Sequence, residues 1–181
     1  ETLSRFRKLG INRLSLGAQS LNDKELEALG RRHSANDVEA AVKKARDAGF
    51  DNVSLDLMVR IPRQTEASLK ESLEKALSLS PDHLSLYTLS IEEKTVFGAR
   101  YKKGDTLELA DEETEERMWD TVCSVLSQNG FRHYEVSNFA KQGKESRHNL
   151  KYWNMDDYMG FGPGAHSSVG NLRYSYVKDL K

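Results

Sequence analysis

A chain of 181 residues with 38% hydrophobic and 30% charged side chains can bury a real core, and its net charge of −1 leaves no basic footprint for a nucleic-acid partner. No apolar run approaches the roughly 20 residues that a membrane-spanning helix needs. The single cysteine, Cys123, excludes an internal disulfide framework or a metal site built from several cysteines of this chain, and it fits a reducing, cytoplasmic setting.

The chain starts with Glu rather than Met, and "ETLSRFRKLG" reads as the middle of a protein, so a fragment is expected. Leu3, Phe6 and Leu9 recur at helical spacing and Gly10 is a helix stop. No signal-peptide pattern is present. "GINRLSLGAQ" reads as a buried strand, followed by a short helical stretch from Asp23 that closes at Gly30. "SANDVEAAVKKARDAG" is an amphipathic helix: Ser34 can cap it with Asp37 three residues on, and Val38, Ala41, Val42 and Ala45 form its stripe. "NVSLDLMV" alternates at strand period. Thr65 can cap the next helix, with Leu69, Leu73, Ala76 and Leu77 on one face, and "DHLSLYTLS" is a third strand.

Strand and helix alternating at this spacing predict parallel βα units, either an open doubly wound sheet or part of a barrel. In both, ligands sit at the C-terminal strand ends, which singles out Gln19, Asp56 and Ser90. Asp56 on a buried strand needs a partner, either a structural one or a ligand. The next segment, "IEEKTVFGARYKKGDTLELA", reads as a long irregular connection. A helix is expected over 111–129, with acidic residues at its start and Met118, Val122, Val125 and Leu126 inward. Cys123 beside those positions is expected to be a small buried hydrophobe. "FRHYEVSNFA" reads as one strand.

The last stretches carry more chemistry. In "SRHNLKYW", His148 suits haem iron, and Tyr152 and Trp153 could pack on a flat macrocycle. The competing reading has Asn149 capping a turn, His148 bonded to backbone and the aromatics plugging a core. In "GFGPGAHS" the glycines allow close backbone approach and exposed amides for an anion, although the spacing is not a dinucleotide fingerprint. His33, His83 and His133 lack metal-ligand spacing and read as structural or solvated, while His166 in the glycine loop is a better candidate.

Together, "GINRLSLGAQSLNDKELEALGRRH", "GFDNVSLDLMVRIPRQT", "HYEVSNFAKQGKESRHNLKYW" and "DYMGFGPGAHS" resemble the HemW family in order and spacing over nearly the whole chain. That family consists of radical S-adenosylmethionine (SAM) proteins related to the oxygen-independent coproporphyrinogen III oxidases. The resemblance implies an α/β fold, the C-terminal part of a partial (β/α)6 radical-SAM barrel with parallel strands, followed by an α+β covering segment. It implies that residues 1–92 hold barrel βα units. Residues 93–181 would hold the last barrel helix and strand plus the segment with "HNLKYW" and "GFGPGAHS".

By the same resemblance Gln19, Arg31 and Asp56 contact SAM and Ser90 lines that pocket. The loop with Gly162, Gly164 and His166 lies near a second SAM or the substrate. The H-N-x-x-Y-W motif is associated with haem, which puts His148 at the iron with Tyr152 and Trp153 beside it. The implied function is a haem chaperone that passes haem to an acceptor protein; the alternative is oxidative decarboxylation of coproporphyrinogen III propionates in porphyrin biosynthesis. The implied cofactors are SAM and a 4Fe-4S cluster, with haem bound as cargo. The family's three cluster cysteines lie upstream of these segments and are absent from this chain, so the chain alone is not expected to bind the cluster or cleave SAM. The family's "YGLP" reads "VRIP" here, and Arg60 either narrows the SAM site or points harmlessly away.

Overall fold

The computed structural model describes residues 2–179, which divide into two compact units, the first running to Lys144 and the second beginning at Glu145. The first unit runs α1 (Thr2–Lys8), β1 (Leu14–Gln19), α2 (Asp23–Ala28), α3 (Ala35–Asp47), β2 (Val53–Val59), α4 (Glu66–Ser78) and β3 (His83–Thr88). It continues with α5 (Val96–Tyr101), α6 (Glu112–Gln128), β4 (Arg132–Glu135) and β5 (Asn138–Ala140).

One five-stranded sheet has the order β1-β2-β3-β5-β4. β1, β2 and β3 are parallel, and β5 turns back antiparallel on β3. This is the expected α/β arrangement of parallel βα units, a partial barrel wall. The division after Lys144 places α6 and the β4–β5 hairpin in the same unit as the βα units.

Strand alternation sorts the two faces of this wall. Leu55, Leu57, Leu84, Leu86 and Phe139 point to one face, where Val38 and Val42 of α3, Leu69 and Leu73 of α4, and Met118, Val122 and Leu126 of α6 close over them. At about 25 cal/mol per Å² of apolar area, this layer supplies most of the driving force for folding. The helices start where the sequence says they should. Ser34 and Asp37 form a reciprocal capping box on α3, and Thr65 with Ser68 does the same on α4.

Three expectations fail locally. "FRHYEVSNFA" is a hairpin rather than one strand, because the chain reverses at Val136–Ser137 and β4 pairs β5 with a bulge between His133 and Glu135. The connection after β3 contains α5, capped by the Thr95 side chain on the Gly98 amide. Cys123 is exposed rather than buried. The buried line of α6 is Met118, Val122 and Leu126, spaced by four residues, and Cys123 falls beside that narrow line.

The second unit contains α7 (Arg147–Trp153) and the hairpin β6 (His166–Val169) with β7 (Leu172–Ser175). Ser146 caps α7 through its hydroxyl on the Asn149 amide. Tyr158 bridges to Ser168, and Asp157 accepts the Gly170 amide at 2.8 Å, which ties the preceding loop to the hairpin.

Candidate functional site

The other face of the parallel wall is polar. The register aligns Ser15, Ser54 and His83 in one row, Gly17, Asp56 and Ser85 in the next, and Met58 with Tyr87 in the last. The rows run from the N-terminal to the C-terminal ends of the strands.

The first row is closed on itself. His83, 1% exposed, bonds Ser54 Oγ through Nδ1 at 2.8 Å and the Tyr134 hydroxyl through Nε2 at 2.8 Å. Burial, and then the nearby Arg13 charge, push its imidazole down to about 4. His83 is therefore a neutral structural group at the sealed end. His33 and His133 are structural too, bonded to the carbonyls of Ala18 and Val136, respectively, each at 3.1 Å.

The upper rows are where the strand-end candidates meet. β1 ends on Gln19 in a left-handed backbone (φ 65), with the register slipping between Gly17 and Gln19. A bulge of this kind re-aims the last side chain of a strand. The Gln19 amide folds back over Gly17: a Cβ there would stand 2.7 Å from Nε2, so only glycine leaves it room. Asp56, half-buried, accepts from Ser15 Oγ at 2.8 Å.

Tyr87, from β3, donates its hydroxyl to Gln19 Oε1 at 3.0 Å. Burial raises its phenol pKa, the Asp56 carboxylate raises it further, and the Arg31 guanidinium works against both. Gln19, Asp56 and Arg31 thus act on one phenol at the C-terminal end of the wall. Ser90 lies two residues beyond β3, exposed, with its hydroxyl donated to Glu92 at 3.2 Å. Tyr87 was not singled out in the sequence; the alternation of "HLSLYT", which puts it on the face of Ser85, was the available signal.

Arg60 does not enter this polar face. Its Nε donates to the Ala110 carbonyl at 2.9 Å and its guanidinium pairs with Glu115 at 3.1 Å. Glu115 in turn accepts from Thr88, whose oxygen accepts from the Trp119 indole. The side chain is bound to α6 while its backbone sits at φ 59. Glycine here would relieve a left-handed conformation that costs an ordinary residue about 1–2 kcal/mol, and alanine would not. Arg60→Ala is therefore expected to lower stability by about 1 kcal/mol more than Arg60→Gly, read from urea unfolding of the two variants.

A buried carboxylate was missed in the sequence. Glu25 of α2 is 1% exposed and accepts from Ser20 at 2.6 Å, Ser68 at 2.5 Å and Gln64 at 3.3 Å. Gln64 also donates to the Met58 carbonyl. One carboxylate therefore ties the turn after Gln19 to the end of β2 and the start of α4. Periodicity alone would have placed it on the solvent side of a short acidic helix.

In the second unit α7 presents His148 exposed, with its Nε2 3.2 Å from the Tyr152 hydroxyl. The Tyr152 ring stands edge-on to His148 and Tyr158, with centroids at 5.1 and 4.8 Å. Tyr152 is 47% and Trp153 is 53% exposed, so within this unit these aromatics do not plug a core, and His148 meets a side chain rather than backbone. In the glycine loop, Gly162 and Gly164 both have positive φ, at 101 and 71, and the Gly164 amide donates to Val177 at 3.0 Å. His166 is exposed at the start of β6. Among the described residues no cluster of three His, Cys, Asp or Glu side chains is placed to hold a metal ion.

Comparison with known proteins gives a consistent set of relatives. The model of the Radical SAM superfamily matches residues 1–76. The heme chaperone HemW of Bacillus subtilis (strain 168) is 45% identical over 181 residues, covering 100% of this chain and 48% of that protein. The Radical S-adenosyl methionine domain-containing protein 1, mitochondrial, of Mus musculus is 44% identical over 185 residues, covering 99% of this chain and 42% of that protein. The chain thus spans less than half the length of these relatives. Among solved structures, coproporphyrinogen III oxidase (HemN) from Escherichia coli, described as a radical SAM enzyme, superposes with a TM-score of 0.82 at 22% identity, covering 98% of this chain and 43% of that one. That likeness speaks for the fold, and the partial barrel wall described above is its radical-SAM form.

Proposed function

We propose that this chain, which belongs to the HemW family of radical-SAM proteins, carries the SAM-contacting strand ends and the haem-binding helix of a cytoplasmic haem chaperone. Haem is its cargo, handed on to an acceptor protein. The observation that carries this reading is the exposure of His148, Tyr152 and Trp153 together on α7. Large aromatic faces left in water lose the free energy that burial would give them, and a flat apolar ligand restores it.

The strand ends fit SAM by donor type. Arg31 is an exposed guanidinium suited to a carboxylate, Asp56 is an acceptor suited to hydroxyls, and the Gln19 amide adds donors beside it. Ser90 would line the same pocket. The glycine loop with Gly162, Gly164 and His166 is the weaker candidate for a second SAM or substrate, since the Gly164 amide is already engaged by Val177. When bound, SAM with a 4Fe-4S cluster supplies one-electron radical chemistry. Cys123, alone and on α6, does not make a cluster site, so no step in this chain runs through the cluster. No helix among the described residues is long and apolar enough to cross a membrane.

The test is haem titration of the intact protein and its His148→Ala variant, followed by absorbance. The variant is expected to lose at least about ten-fold in haem affinity and to change its spectrum. An unchanged spectrum and affinity would remove His148 as the ligand. Consumption of coproporphyrinogen III by the cluster-loaded intact protein would replace the chaperone reading with the oxidase.

A further inference from the structure

We propose that Tyr87 is a positioning residue of the SAM site, acting through Gln19; this rests on the assignment of Gln19 to SAM. A glutamine amide is nearly symmetric in shape, and its two ends offer opposite chemistry: the oxygen accepts and the nitrogen donates twice. At the end of β1 something must decide which end meets a ligand. The backbone alone does not, because Gln19 ends its strand after a register slip and its side chain has left the regular alternation.

The structure supplies two constraints on that amide. Gly17 provides the space under it, since Nε2 lies where a Cβ on residue 17 would come within 2.7 Å. Tyr87 reaches from β3 across the width of β2, over Met58, and donates its hydroxyl to Oε1 at 3.0 Å. A phenol donates well and accepts poorly, because its oxygen lone pair is delocalised into the ring. It therefore selects the orientation in which the amide oxygen faces the tyrosine and the –NH2 end is left for a ligand. Gly17 is paired in register with Asp56, so the fixed donor end stands over the row that holds the acceptor carboxylate. A phenol is protonated at neutral pH and so is available as a donor, and partial desolvation and the Asp56 charge push its pKa further up. Tyr87 thereby links the outermost parallel strand to the third, and its hydroxyl converts a floppy amide into a directed donor.

The experiment is a double-mutant cycle on SAM affinity, measured by calorimetric titration of the intact protein with SAM. Tyr87→Phe keeps the ring and removes the hydroxyl. It is expected to weaken SAM binding about five- to ten-fold, the size of one lost hydrogen bond, with the thermal midpoint unchanged. Gln19→Ala is expected to weaken binding by at least as much, and the double variant to bind no more weakly than Gln19→Ala alone. Gly17→Ala, which displaces the same amide without touching Tyr87, is expected to weaken binding and to become insensitive to Tyr87→Phe.

Additive losses in the cycle would overturn the proposal, since Tyr87 would then act independently of Gln19. So would a Tyr87→Phe variant that binds SAM normally while Tyr87→Leu does not, because the ring and not the hydroxyl would matter. If Gln19→Ala weakens binding and Tyr87→Phe does not, this proposal alone falls. If Gln19→Ala binds SAM normally, the assignment of Gln19 to SAM falls, and the proposal with it.

Discussion

Acidification from pH 7 to pH 4 is expected to remove about 3 kcal/mol of stability through His83 alone. The folded imidazole titrates at about 4 and the free one at 6.5. Between those values the unfolded chain binds a proton that the folded chain refuses. The contribution is complete above pH 6.5, declines as the pH falls through the window, and levels off below about 4. The cause is geometric. Both ring nitrogens are used inside the wall, by Ser54 and by Tyr134, and the side chain is out of water. Carboxylates elsewhere also lose stability in acid, so the measurement is a difference: urea unfolding of the parent and of His83→Gln at stepped pH. The variant is expected to be less stable at pH 7 and to have a flatter profile across the window. Parallel profiles would show that His83 does not set the acid limb.

Glu25→Ala is the second large effect, expected at about 3 kcal/mol, since each buried donor left without a partner costs about 1–3 kcal/mol. Ser20 and Gln64 are buried; Ser20 would lose its carboxylate acceptor and Gln64 would keep only the Met58 carbonyl, whereas Ser68 is half-buried and recovers water. The carboxylate also lies against the N-terminal turn of α4 through Ser68, where negative charge is favoured. Glu25→Gln can keep its amide oxygen on the side shared by Ser20 and Gln64 and turns its –NH2 toward Ser68, whose hydroxyl can accept. It loses only the charge-assisted part of these bonds and is expected to fall between the parent and the alanine variant. Chemical unfolding of the three proteins gives the order. An alanine variant within 1 kcal/mol of the parent would mean that the donors find water, which contradicts their burial.

The elements that the sequence made legible are those whose signals are local. Ser34 and Thr65 announced α3 and α4, and the alternation of "NVSLDLMV" announced a two-faced strand. The β4–β5 hairpin was hidden because its turn, Val136–Ser137, has no glycine, proline or asparagine to mark it. α5 was hidden by Gly98 and by the charged residues around a helix of only six residues. The candidate site was legible one strand at a time: Gln19, Asp56 and Arg31 came from strand ends and from family motifs. What joined them came from three separate segments. The left-handed turn at Gln19, the hydroxyl of Tyr87 and the carboxylate of Glu25 acquire meaning only once β1, β2 and β3 are side by side, and no pattern within one segment encodes that.

The reversal of strand direction between β3 and β5 has a consequence during synthesis. β1, β2 and β3 are made in order, each beside the last, but the strand that covers the far edge of β3 lies at Asn138–Ala140, after α5 and α6. Until β5 has been added, β3 holds a row of unpaired amides and carbonyls on that edge, and such edges recruit strands from other chains. The β4–β5 hairpin is short, local and quick to form, so it can cover that edge as soon as it emerges.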